Sequence, residues 1–101
     1  MKKQLSQVEK FHEVYSCLKQ AQPAPLSEKE IDCRIMLMEE ELKEVVEAMR
    51  NEPLENVAKE LTDLVYVVLG TYVAYGFQDK AEEVFDAVHE SNMSKLYVQT
   101  R

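Results

Sequence analysis

Behind Asp63 the chain runs Leu64-Val65-Tyr66-Val67-Val68-Leu69-Gly70-Thr71-Tyr72-Val73-Ala74-Tyr75 without a charge. No other stretch limits the fold as strongly. The uncharged run extends to Gln78 and is short for a membrane span, which needs about 20 apolar residues. Traced back to Pro53, it predicts one long helix from about Leu54 to Tyr75. Gly76 is placed to end it, because glycine adopts the left-handed conformation common at helix C-termini. A helix apolar on every side is buried on every side. A chain of 101 residues buries a limited fraction of its surface alone, so self-association through this helix is expected. Gly70, in mid-helix, costs about 1 kcal/mol relative to alanine, and a close helix approach would compensate.

The remaining sequence predicts three more helices. With two glycines and three prolines, turns are few and elements long. From about Gln4 to Gln20, Leu5, Val8, Phe11, Tyr15 and Leu18 recur at helical spacing. His12 and Glu13 lie beside that stripe as surface residues. Pro23 and Pro25 then bar continuation. Ser27 and Glu30 form a capping-box pattern opening a second helix, which ends near Asn51 before Pro53. Ile31, Ile35, Met38, Leu42, Val45 and Met49 make its apolar seam. Beside them runs a mixed line, Arg34, Leu37, Glu41, Glu44 and Ala48, while Lys43 and Glu47 read as solvated. Asp79 and Glu82 repeat the capping pattern for a fourth helix. Ala81, Phe85 and Val88 face inward there, and the stripe continues to Asn92 and Lys95. Polar groups on an inward stripe need a partner or a task. Cys17 and Cys33 fall within helical patterns and read as small buried thiols, not a disulfide scaffold. The expectation is a single all-α domain spanning residues 1–101, a four-helix bundle.

The net charge of −7 argues against a nucleic-acid polymer or an anionic membrane as partner. The polar, amphipathic start is no signal core, so a cytoplasmic protein is expected. Acidic residues nonetheless follow a pattern. Glu41 with Glu44, and Glu60 with Asp63, are i, i+3 pairs, so each pair points two carboxylates one way. If the two helices pack together, four carboxylates converge and repel unless a cation lies between them. Taken alone, such pairs are most often a solvated face. Asp63 shifts the balance, because it stands at the mouth of the uncharged run and an unpaired charge there is costly. Lys59 is expected to point elsewhere, and Arg34 can pair with only one carboxylate. A metal site is the most economical reading, and an oxygen-only set suits magnesium or manganese.

Glu40-Glu41-Leu42-Lys43-Glu44 followed by Glu60-Leu61-Thr62-Asp63 resembles the EExxE…ExxD signature of the MazG-like all-α nucleoside triphosphate pyrophosphohydrolases. That superfamily includes dimeric dUTPases and phosphoribosyl-ATP pyrophosphohydrolases. Ala58 to Tyr66 with Gly70 is similar to the metal helix of a MazG-like subgroup, and Val88-His89-Glu90-Ser91-Asn92-Met93-Ser94-Lys95-Leu96 to its last helix. The resemblance implies magnesium-dependent hydrolysis of nucleoside triphosphates to monophosphate and pyrophosphate, as nucleotide-pool house-cleaning. It implies Glu41, Glu44, Glu60 and Asp63 as metal ligands and Glu40 and Glu41 as catalytic carboxylates, with Glu40 holding or deprotonating the attacking water. Asn92 and Lys95 would meet phosphates or nucleotide, and Phe11, His12 and Tyr66 the base. For Phe11 and Tyr66, core packing is an equal alternative. A homodimer or dimer of dimers is also implied. The chain stops soon after Leu96, where related proteins often continue, so part of the nucleotide site is then absent or comes from another subunit. The competing readings are a phosphoribosyl-ATP pyrophosphohydrolase, a non-catalytic acidic helical interaction module, and an acidic regulator of a basic protein.

Overall fold

The computed structural model describes residues 1–99, with side chains through Lys95. Leu96, the last residue of the resemblance quoted above, therefore has no described side chain. The chain is all-α, a bundle of four helices: α1 (Lys2–Val14), α2 (Glu28–Asn51), α3 (Leu54–Tyr75) and α4 (Ala81–Gln99). No described helix is long and apolar enough to cross a membrane.

The uncharged helix is the axis, since both α1 and α2 pack on α3. Its limits are those predicted, and Gly76 ends it with φ +79°. Phe77 N–H donates to Tyr72 C=O at 2.8 Å and Gly76 N–H to Val73 C=O at 3.1 Å. These two bonds satisfy carbonyls left open at the helix end. Tyr72 and Phe77 then meet edge to face, with ring centroids 6.3 Å apart. Leu5, Val8, Leu69, Val73 and Ala81, with Tyr72 against them, form the core. The expected burial of α3 on every side does not hold in one chain: Val65 and Tyr66 are 54% and 39% exposed.

The first helix stops earlier than its apolar spacing predicts. Ser16 adopts a left-handed φ of 55°, and Cys17 N–H turns back to His12 C=O at 2.9 Å. Cys17 thus lies beyond the helix, and Cys33 is exposed, not buried. Tyr15 and Leu18 are exposed. His12, expected at the surface, is buried in place of Phe11 on the inward face. The Pro-containing loop is fastened to the end of α3. Gln20 Nε2 donates to Ala74 C=O at 2.8 Å, and Gln78 Nε2 donates to Gln20 C=O at 2.8 Å.

Ser27 caps α2 by accepting from Glu30 N–H at 3.2 Å. The inward face of α2 corrects the apolar seam. Val45 and Ala48 are buried and Arg34, Leu37 and Glu41 half-buried, while Ile35, Leu42 and Met49 are exposed. The mixed line faces α3, and much of the apolar line faces out. At the other end, Lys80 C=O accepts from Val84 N–H at 3.0 Å. The helix therefore begins at Ala81, after Lys80, one residue later than the expected cap at Asp79 would place it. Ala81 is buried, but Phe85 and Val88 are more than half exposed. From Glu82 to Lys95 every residue of α4 is exposed.

Candidate metal centre

Packing α2 on α3 through the mixed line brings acidic residues of both helices into one seam. Glu41, Glu60 and Asp63 each place a carboxylate oxygen within 4.8 Å of the others. Only 13% of the Glu60 side chain and 42% of that of Asp63 is exposed. At 4.8 Å, each pair of unit charges repels by about 1 kcal/mol in bulk water and about 3.5 kcal/mol at an effective dielectric of 20. The inner oxygens sharpen the problem: Oε2 of Glu41 and Oε2 of Glu60 are buried without a hydrogen-bond partner. Buried polar atoms ordinarily have one. An all-oxygen, anionic cluster with unpartnered inner atoms fits a hard divalent cation.

Glu44 lies one turn along α2 at the exposed rim. Its carboxyl is held above the usual range, chiefly by the Glu60 carboxyl beside it and then by the charge of Glu41. Four of the five acidic residues of the signature are thus neighbours, three in the cluster and one at its edge. Glu40 is exposed on another face of α2, where it lines a cleft with Met36, Leu42 and Lys43.

Lys59 does not point elsewhere. Its Nζ is 3.0 Å from Glu60 Oε1 and 3.0 Å from Asp63 Oδ2. The two carboxylates, Glu60 first, push the Lys59 pKa up. The signal was present in the i, i+4 spacing of Lys59 and Asp63.

Arg34 makes no ion pair with the cluster. Its Nε donates to Thr71 Oγ1 at 3.1 Å and Nη2 to Val67 C=O at 2.9 Å. Burial lowers its pKa. Gly70 explains how the guanidinium fits, since a Cβ there would lie 2.6 Å from Arg34 Nη2 and 3.0 Å from His12 Nε2. The close approach at Gly70 is therefore made by two polar side chains. His12 Nδ1 bonds Leu18 C=O at 2.7 Å. Burial is the main cause lowering the His12 pKa, and the Arg34 charge adds to it. His12 is therefore a neutral donor to the Leu18 carbonyl.

Phe11 and Tyr66 are brought together edge to face, with centroids 5.7 Å apart, and Tyr15 joins Phe11 at 4.6 Å. Phe11 and Tyr66 are 41% and 39% exposed. Tyr66 follows Asp63 by one helical turn, so this aromatic group borders the carboxylates. Asn92 and Lys95 are not brought to them. They line a shallow cleft made by α4 and Lys80.

The sequence itself is matched by a family profile. The phosphoribosyl-ATP pyrophosphohydrolase family aligns with residues 8–92. The chain belongs to this family. No curated protein matches it. The aligned region enters in α1, contains every signature carboxylate and ends at Asn92. The family lies within the MazG-like superfamily, and membership makes the chain a nucleotide pyrophosphohydrolase. Its members are metal-dependent.

Proposed function

We propose that this chain is a magnesium-dependent nucleoside triphosphate pyrophosphohydrolase that cleaves between the α and β phosphates, releasing monophosphate and pyrophosphate. The observation that carries this is the pair of buried, unpartnered Oε2 atoms of Glu41 and Glu60 within a three-carboxylate cluster. Glu41, Glu44, Glu60 and Asp63 would hold magnesium, with manganese able to replace it. The bound cation neutralises phosphate charge and lowers the pKa of a water. Glu40 and Glu41 are the catalytic carboxylates, and Glu40, exposed on an adjoining face of α2, would hold or deprotonate the attacking water. The half-exposed rings of Phe11 and Tyr66 offer stacking for the base. His12 packs beside Phe11 and is too deeply buried to meet the base itself.

Asn92 and Lys95 would reach the phosphates from a second copy. The exposed apolar residues of α2 (Ile35, Leu42, Met49) and of α4 (Val84, Phe85, Val88) support a homodimer or a dimer of dimers. We assign the whole chain to one domain, with a cytoplasmic role in clearing unwanted nucleotides, independent of nucleic-acid polymers and membranes. A second reading, phosphoribosyl-ATP as substrate, is favoured by the description of the matched family.

The test is a panel of canonical and modified nucleoside triphosphates and phosphoribosyl-ATP, each with and without magnesium, with products identified. Monophosphate and pyrophosphate, lost in Glu41→Gln and Asp63→Asn, are expected. Diphosphate and orthophosphate would refute the proposed bond. Turnover of phosphoribosyl-ATP alone would establish the second reading.

A further inference from the structure

The acidic cluster already has a cation of its own. Lys59 Nζ contacts Glu60 Oε1 and Asp63 Oδ2, both at 3.0 Å. On the buried side of the same cluster, Glu60 Oε2 and Glu41 Oε2 have no partner. We propose that Lys59 is a tethered counter-cation of the metal-free site, and that it leaves the carboxylates for the substrate phosphates when a dication is bound. This rests on the metal-site reading above.

One ammonium cannot balance three carboxylates, so Lys59 steadies the cluster without filling it. A dication held by the same carboxylates weakens both contacts, because like charges at such range repel and the bound carboxylates have less negative charge to offer the ammonium. Withdrawal is easy. The side chain is 66% exposed, flexible and strongly hydrated as a free ammonium. It also has somewhere to go. Lys59 and Lys43 line a cleft of about 440 Å³ with Glu44, Glu47, Glu52 and Glu60. These two lysines supply the positive charge of that lining, directly beside the carboxylates. Lys95 of the same chain belongs to the separate cleft on α4. A phosphate chain meeting the cluster from this cleft would replace, for Lys59, the carboxylate oxygens it gives up. Dication and phosphate binding are then coupled: Lys59 opposes the first alone and favours the two together.

The test uses the full chain and two titrations. Free manganese binding is followed by electron paramagnetic resonance, and binding of a preformed manganese–tripolyphosphate complex by calorimetry. The variants are Lys59→Gln, Lys59→Arg and, as a control for net charge, Lys29→Gln. Lys59→Gln should bind free manganese about two- to fivefold more tightly, the scale of exposed ion pairs, and bind the complex more weakly. Lys59→Arg and Lys29→Gln should behave like the wild type in both. Equal manganese affinity in Lys59→Gln and wild type overturns the counter-cation role and leaves the metal site standing. Tighter manganese binding without weaker binding of the complex overturns the transfer to phosphate. No manganese binding by the wild type overturns the metal-site reading, and the inference with it.

Discussion

Replacing Glu60 by glutamine should stabilise the metal-free protein and abolish its response to metal. Glu60 takes part in two of the three repulsions among Glu41, Glu60 and Asp63, whose oxygens lie within 4.8 Å. From water-like to intermediate dielectric, those two terms sum to roughly 2–7 kcal/mol. Solvent around Asp63 and loss of the exposed contact with Lys59 draw the net to the low end, about 1–3 kcal/mol. The new amide can also donate to Glu41 Oε2, which has no partner in the wild type. For a domain of this size each kcal/mol raises Tm by roughly 4–8 °C. Thermal unfolding at pH 8, at one protein concentration, in chelator and then with millimolar magnesium, reads both effects. Wild type should gain stability from magnesium, by about 2.7 kcal/mol at a hundred times Kd, whereas Glu60→Gln should start higher and gain nothing. A lower Tm for Glu60→Gln in chelator would refute the account of a cluster under repulsion. An undiminished magnesium response would remove Glu60 from the site.

Gly76→Ala should cost more than about 2 kcal/mol, by urea unfolding, because φ is +79° and the new Cβ would strike the Gln22 backbone. Ser27→Ala should cost about 1 kcal/mol in the same assay, through loss of the α2 cap. His12 titrates below its ordinary 6.5 when folded, so the unfolded chain takes up its proton first. Its contribution is complete above pH 6.5 and is lost as pH falls from there through the folded value. His12→Asn, which keeps a donor for Leu18 C=O, should flatten the stability profile below pH 6.5. An unchanged slope would show that His12 is not the group responsible.

Periodicity located α2 and α3 almost to the residue, because Ser27, Pro53 and Gly76 act locally through capping, a missing amide and a left-handed backbone. The faces of the helices were less legible. On α2, the apolar line and the mixed line both satisfied a helical repeat, and spacing does not say which one a neighbour covers. The mixed line turned inward because Arg34 finds Val67 C=O and Thr71 beside Gly70. That match involves residues 33 to 37 positions away, invisible to any local window. The burial of His12 has the same origin, since its partner Leu18 is reached only after the left-handed turn at Ser16. The acidic cluster was legible, as i, i+3 pairs set the direction of carboxylates on each helix. Lys59 was misjudged by treating sequence adjacency to Glu60 as divergence, although a long side chain spans to both Glu60 and Asp63.

The contact between α2 and α3 has a mechanical consequence. Its two halves, the Arg34 anchor and the carboxylate cluster, lie seven residues apart along α2, roughly 10 Å. Together they work like two teeth of a gear. Sliding α2 by one turn, about 5.4 Å, would pull Glu41 from Glu60 and Asp63 and at once strip Arg34 from its carbonyl. A cation bridging Glu41 to α3 would therefore pin the register of the helix pair as well as fill a site, and amide exchange along the α2–α3 seam should slow when it binds.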